Sequence, residues 1–290
     1  MSLSHGSSVI RPVVRSLKRQ KSGLVGIIII SLVCLSALLA DHIGYGDPNA
    51  IMLQDRLCRP MDGSSFGFHP LGTDGLGRDI FTRIVFGARI SLAVSISGAI
   101  ISAIVGVTAG LLAGYYGGWL DAILMRIADI QLAFPFILLA LTLLATLGSG
   151  LWQMIMVLGL GRWVSFARVV RGETLSIRER EFIEASRAIG NRDFWIIFRH
   201  ILPNIFAPVI IVASFAVASN VLSEASLSFL GLGVDLAIPT WGMMLAEGRE
   251  YLPDAWWLAT FPGLAILITV LGINLFGDWL RDYLDPKLKL

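Results

Sequence analysis

A chain of 290 residues that is 55% hydrophobic, with a mean hydropathy of +0.74, is too apolar for a soluble domain and belongs among the integral membrane proteins. Its formal charge of +2 comes from small groups at the ends of apolar runs rather than from one basic stripe, which excludes a nucleic-acid partner. Two cysteines, Cys34 in the first apolar run and Cys58 outside it, provide no disulfide framework.

Charge-free runs cover 22–40, 90–120, 130–161, 201–223 and 255–277. The third exceeds the ~20 residues of one crossing, and Gly148-Ser149-Gly150 divides it. The sequence therefore predicts an all-α integral membrane fold with six transmembrane helices, near 22–40, 90–114, 124–147, 151–171, 204–223 and 256–278. An even number of crossings puts both termini on one side. With the N-terminus in the cytoplasm, 17 Lys and Arg fall on that side and 6 on the other, so the positive-inside rule selects it. The expected segments are a cytoplasmic stretch 1–21, a first helix 22–40, a periplasmic loop 41–88, a core 89–280 containing a cytoplasmic loop 172–203, and a cytoplasmic tail 281–290.

Residues 1–21 carry Arg11, Arg15, Lys18, Arg19 and Lys21 with no acid, followed by 19 apolar residues. A signal peptide has this order of parts, but cleavage after Ala40 would place bulky Leu38 where a small residue is required, so the run is expected to be a retained helix. The loop that follows holds Leu71-Gly72-Thr73-Asp74-Gly75-Leu76-Gly77-Arg78-Asp79, then Gly87-Ala88-Arg89. Its glycines follow no strand, so a nucleotide loop is a poor fit. A tight turn presenting Asp74, Arg78 and Asp79 either fixes how the second helix enters the membrane or offers a docking contact. LGTDxxGRD followed by GAR resembles the signature of the C-type permease of dipeptide, oligopeptide and nickel ABC importers.

In the second helix Gly98, Ser102, Gly106, Gly110 and Gly114 recur every four residues, a small-residue ridge suited to close helix packing. The spacing leaves open whether its partner is another helix of this chain or a second permease. A tight cytoplasmic turn is expected at 115–119, with Arg126 one turn from Asp129 and able to pair with it, and Pro135 is expected to kink the third helix. Arg162 comes 11 residues after Leu151, about 16 Å into its helix at 1.5 Å per residue. A central Arg costs about 2.5–3.5 kcal/mol on insertion scales, so it either faces a wet cavity or partner, or snorkels from a tilted helix. Arg162 and, in the fifth helix, Asn220 are the candidate residues of a translocation path.

Between these helices the stretch 178–204 is charged and amphipathic. As a helix, Phe182, Ala185, Ser186 and Ile189 form one apolar or small stripe, while Arg180, Glu184 and Arg187 stay wet. Gly190 ends it, Asn191 can cap a second short helix with Asp193 in its first turn, and Pro203 is expected to stop that helix. Pro208 then falls in the first turn of the fifth helix. Glu184-Ala185-Ser186, three residues, Gly190 and then Ile201-Leu202-Pro203 resemble the EAA loop of ABC-importer permeases. Ser186 replaces the family's second Ala, and His200 stands where many permeases have an aliphatic residue. The segments 163–171, 227–233, 239–242 and 274–287 extend the resemblance over nearly the whole chain.

The resemblance implies a type I ABC importer permease fold in a bacterial inner membrane, with an EAA coupling helix contributed by Phe182, Glu184, Ala185, Ser186, Arg187 and Gly190. It implies a homologous B-type permease, two ATP-binding subunits and a periplasmic or lipid-anchored substrate-binding protein as partners, and peptides, glutathione or nickel chelates as solutes. The residues agree that no engine is present: none of Lys18, Lys21, Lys287 or Lys289 follows a glycine, so there is no P-loop. ATP and Mg are then expected on partner subunits, with no cofactor, metal or catalytic residue on this chain; four scattered histidines and no Cys pair offer no metal spacing. An ion-coupled secondary transporter would need an acid at mid-membrane, where the only charge is Arg162. A non-transporting scaffold would leave Arg162 and the amphipathic loop without a role.

Overall fold

The computed structural model describes residues 20–62, 67–234 and 238–284. Most of the basic segment 1–21, with Arg11, Arg15, Lys18 and Arg19 of its five basic residues, and the tail from Asp285 onward lie outside the described residues. The long helices are α1 (Lys21–Leu38), α2 (Ile80–Tyr116), α3 (Gly118–Leu132), α4 (Phe136–Leu147), α5 (Leu151–Arg178), α6 (Glu181–Ala188), α7 (Leu202–Phe229), α8 (Trp241–Arg249) and α9 (Trp257–Leu284). Five helical stretches are long and apolar enough to cross a membrane, and six if α3 and α4 count as one broken span. The helix α2 starts at Ile80, so the outer loop ends nine residues earlier than expected, and α9 continues through Arg281 to Leu284.

Two prolines act differently from expectation. At Pro135 the third span does more than kink: α3 and α4 meet at 87°. Pro203 does not stop its helix, because a π-helical turn, Ile197–Ile201, absorbs the irregularity. Asp193–Phe229 then forms one apolar span. Pro208 accordingly lies inside α7 rather than in a first turn.

The pairing of α2 with α5 is the most extensive in the fold. Gly98, Ser102, Gly106, Gly110 and Gly114 all face α5. Ser102 Oγ donates to the Gly159 carbonyl at 2.7 Å, and a methyl added at Gly110 would lie 2.6 Å from the Ala167 carbonyl oxygen. At Gly106 it would collide with the Trp163 carbonyl and Phe166 Cβ. The ridge is therefore a contact within this chain. Backbone cannot give way as a side-chain tip can, so Gly106→Ala should lower thermal stability in detergent by about 1–3 kcal/mol. Gly172, on α5 with open space around it, is the control: Gly172→Ala should leave stability unchanged or raise it by about 0.5–1 kcal/mol. Equal effects at the two positions would contradict the close approach.

Around this pair, α1 lies against α9, where Gly26 meets the Gly272 carbonyl and the Phe276 backbone, and α7 contacts α2, α5 and α9. Outward-facing side chains such as Leu24, Ile28, Leu32, Ile100, Ile104, Leu267 and Leu271 remain exposed, as a lipid-facing surface requires.

Residues 41–62 and 67–79 make a cap over one end of α2, α8 and α9. The LGTDxxGRD motif turns inward: Asp74 Oδ1 accepts the backbone N–H of Leu76 and Arg78, and Asp74 Oδ2 accepts Arg78 Nε and Arg83 Nη1, both at 2.6 Å. Glu247 of α8 completes the network, 3.0 Å from Arg78 Nη2 and 2.6 Å from Arg83 Nη1. Asp79 caps α2 by accepting the Thr82 N–H at 2.7 Å, and its other oxygen lies 2.9 Å from His69. The Thr73 carbonyl accepts the Trp257 indole N–H, Gly72 and Gly77 have φ of +81° and +76°, and Gly77 lies against the Met52 carbonyl. The motif thus builds the entry of α2 and packs into the cap. Both cysteines are free, and burial, reinforced by the charge of Asp55, pushes the Cys58 thiol up.

Candidate functional site

Two features carry no obvious structural purpose: the loop after α5 and the charge within α5 itself. In the loop, α6 is followed by a tight turn at Gly190, whose φ is +82°. The Gly190 N–H donates to Arg187 O and the Asn191 N–H to Ser186 O, closing the helix end. Asn191 does not cap the next turn. Its side chain reaches back to Ser186 Oγ at 2.9 Å, and Arg192 takes the N-cap position before Asp193–Ile196.

The faces of α6 are distributed differently from the stripe expected. Ile183, 0% exposed, and Ser186 face the protein, whereas Phe182 and Ile189 are 41% and 79% exposed and Ala185 is also at the surface. Ile183 joins Leu111, Tyr115, Val170, Ile177, Ile196 and Ile201 in one buried cluster. Polar contacts reinforce the seating: Tyr115 OH donates to Asp193 at 2.6 Å, the Arg187 guanidinium lies 5.3 Å over the Tyr115 ring, and Arg178 Nη1 donates to the Gly114 and Tyr115 carbonyls. Glu184 and Arg180 point to solvent. Beside them Phe194, Trp195 and Phe198 are exposed, with the Phe194 and Phe198 rings 4.3 Å apart. The inner face of the loop is locked to the ends of α2 and α5, and its outer face offers apolar and charged groups to a partner. His200 packs near the Phe182 ring, at 6.1 Å.

Arg162 lies on α5 with its guanidinium 4.9 Å over the Phe136 ring, and Nη2 donates to Ser223 Oγ at 2.9 Å. It lines a cavity of about 180 Å³ between α5 and α7. Asn220 does not share that cavity. Fully buried, it turns toward α2 and donates to the Ser95 carbonyl at 3.0 Å, because the missing side chain at Gly98 leaves room for it there. The expected Arg126–Asp129 pair is also absent: Asp129 pairs with Arg168 across the crossing of α3 and α5, at 2.7 Å.

Residue patterns missed one further cluster. Glu224, fully buried near the end of α7, accepts from Ser228 at 2.8 Å and Ser91 at 3.3 Å, and Ser91 Oγ in turn accepts the Trp241 N–H, tying α7 to α2 and α8. The run Ser223 to Ser228 signalled polarity, but the partner on α2 lies more than 100 residues away.

Comparison with known proteins agrees with this architecture. The dipeptide transport system permease protein DppC of Alkalihalophilus pseudofirmus is 44% identical over 282 residues, 96% of this chain and 90% of that protein. The glutathione transport system permease protein GsiD of Pectobacterium atrosepticum is 43% identical over 275 residues, 95% of this chain and 90% of that protein. Among solved structures, the inward-facing MetNI methionine ABC transporter superposes with a TM-score of 0.58 at 22% identity, covering 71% of this chain and 98% of that one, a likeness of fold. Residues 106–290 match the family described as binding-protein-dependent transport system inner membrane component. With α2, α5, the loop and α7 in place and relatives matching almost end to end, the chain belongs to that family of inner-membrane transport permeases.

Proposed function

We propose that this chain is one of two membrane subunits of an ATP-driven importer of di- or oligopeptides or related small solutes, with no catalytic centre of its own. It pairs with a homologous B-type permease, two ATP-binding subunits that hold ATP and Mg, and an extracytoplasmic substrate-binding protein. Both termini and the loop 172–203 face the cytoplasm, in keeping with the Lys and Arg distribution.

The observation that carries this reading is the two-faced loop. Because Ile183, Tyr115, Asp193 and Arg178 weld it to α2 and α5, any displacement of α6 by an ATPase must move the membrane helices with it. Reversing a two-state population from 1:99 to 99:1 needs about 5.5 kcal/mol of differential interaction, which a rigid contact transmits and a floppy loop dissipates. The outward groups Phe182, Glu184, Ala185, Arg187 and Ile189 are the ones available for that contact. The peptide solute is supported by the names of the relatives, including the glutathione permease, whose solute is itself a small peptide.

Cysteines placed singly at Phe182, Glu184 or Ile189 should cross-link to an ATP-binding subunit in the assembled complex, with yields that change on ATP addition. Absence of cross-linking in a complex that still imports solute would refute the assignment.

A further inference from the structure

Among the described residues Arg162 is the one charged group lining the cavity between α5 and α7, and its donors are only partly used. A guanidinium has five N–H donors. One bond is made, to Ser223, whose hydroxyl is itself committed to the Ser219 carbonyl at 2.8 Å. Nε is buried without a partner, and among the described residues no carboxylate lies within 4 Å of the side chain. Glu224, next to Ser223 in sequence, is turned away into its own hydroxyl network. The Phe136 ring and Ser223 thus hold the arginine in place without neutralising it.

The cavity fits a small part of a ligand. At about 180 Å³ it is below the ~300 Å³ at which whole-ligand pockets begin, so it can take the end of a solute whose remainder extends beyond it. Its wall combines Phe166, Val212 and Phe215 with the hydroxyls of Ser165 and Ser219, an apolar surface with a few polar groups beside one cation. A planar guanidinium matches the geometry of a carboxylate, and the peptide solute of the importer reading carries one at its end. We propose that the cavity is a stopping place for the free carboxylate end of the transported peptide, with Arg162 as the group that holds it.

This inference rests on the importer reading above and specifies where the solute is recognised within the membrane. A tightly packed acid from the second permease would neutralise Arg162 equally well, but it would leave the mixed, half-open cavity beside it without use. The test compares trialanine with its C-terminal amide in proteoliposomes containing the complete importer. Each peptide is supplied at a concentration that saturates the binding protein, so that turnover and not capture is measured. In Arg162→Met the acid-to-amide turnover ratio should fall by about tenfold, the worth of one charged hydrogen-bonded contact, and Arg162→Lys should recover part of it. Co-purification of all subunits should be unchanged in both variants. An unaltered ratio with normal assembly overturns the inference and leaves the importer reading standing. Loss of the second permease from Arg162→Met assigns the arginine to a subunit ion pair and also overturns it. Wild-type complex that imports neither peptide overturns the inference, and if it also imports no solute that its binding protein captures, the importer reading falls with it.

Discussion

Asp74→Ala should destabilise the folded chain by about 3–5 kcal/mol, the cost of leaving buried positive charge without its partner. Arg83 is 1% exposed, and its Nε and Nη2 already lack partners, so Asp74 and Glu247 are the acids that hold it. Asp74 also accepts the Leu76 and Arg78 N–H groups that shape the turn, so truncation removes both charge balance and backbone order. The cap would detach from α8, and the start of α2 would lose its fixed entry. Thermal unfolding in detergent, followed by the fraction of monodisperse protein, measures the loss. Glu247→Gln should cost distinctly less, since Glu247 is 27% exposed and water can replace it. A melting profile for Asp74→Ala that overlays wild type would show that the ion network is not what holds the cap.

Gly190→Leu should have its largest effect on function. A Cβ at Gly190 meets nothing within 4 Å, so no neighbour in this chain objects to the added volume. What objects is the backbone: at φ +82° a leucine costs about 1–2 kcal/mol, relieved by shifting the turn and with it the angle of α6. The chain should insert and assemble, and ATP hydrolysis should continue while uptake is lost. Gly190→Asn, which tolerates the left-handed region, should retain most uptake. Normal uptake by Gly190→Leu, with ATP consumption per solute unchanged, would remove the loop from the coupling path.

What the amino-acid order determined by itself follows from local chemistry. Long charge-free runs can only be satisfied as helices in lipid, so the number and approximate position of the crossings, the amphipathic loop and the absence of a P-loop followed directly from it. The four-residue recurrence of small side chains likewise marked a surface for close packing before its partner was known.

Tertiary structure decided which face met what. A membrane helix whose large apolar side chains are spread around its circumference does not show by pattern which neighbour each face meets; α2, for all its small-residue ridge, and the apolar part of α7 are of this kind. For that reason the inward turn of Asn220 and the intrachain partner of the glycine ridge emerged only from the packing. Charge pairs were decided the same way: Asp129 chose Arg168 over its neighbour Arg126, and Arg83 met Glu247, 164 residues away, because partners are set by how helices cross and not by spacing along one of them. Local rules also gave Pro135 a kink and Pro203 a stop. The packed helices turned these into an 87° break and a continuous span with a π-helical turn, since neighbouring helices fix the path and the backbone adapts to it.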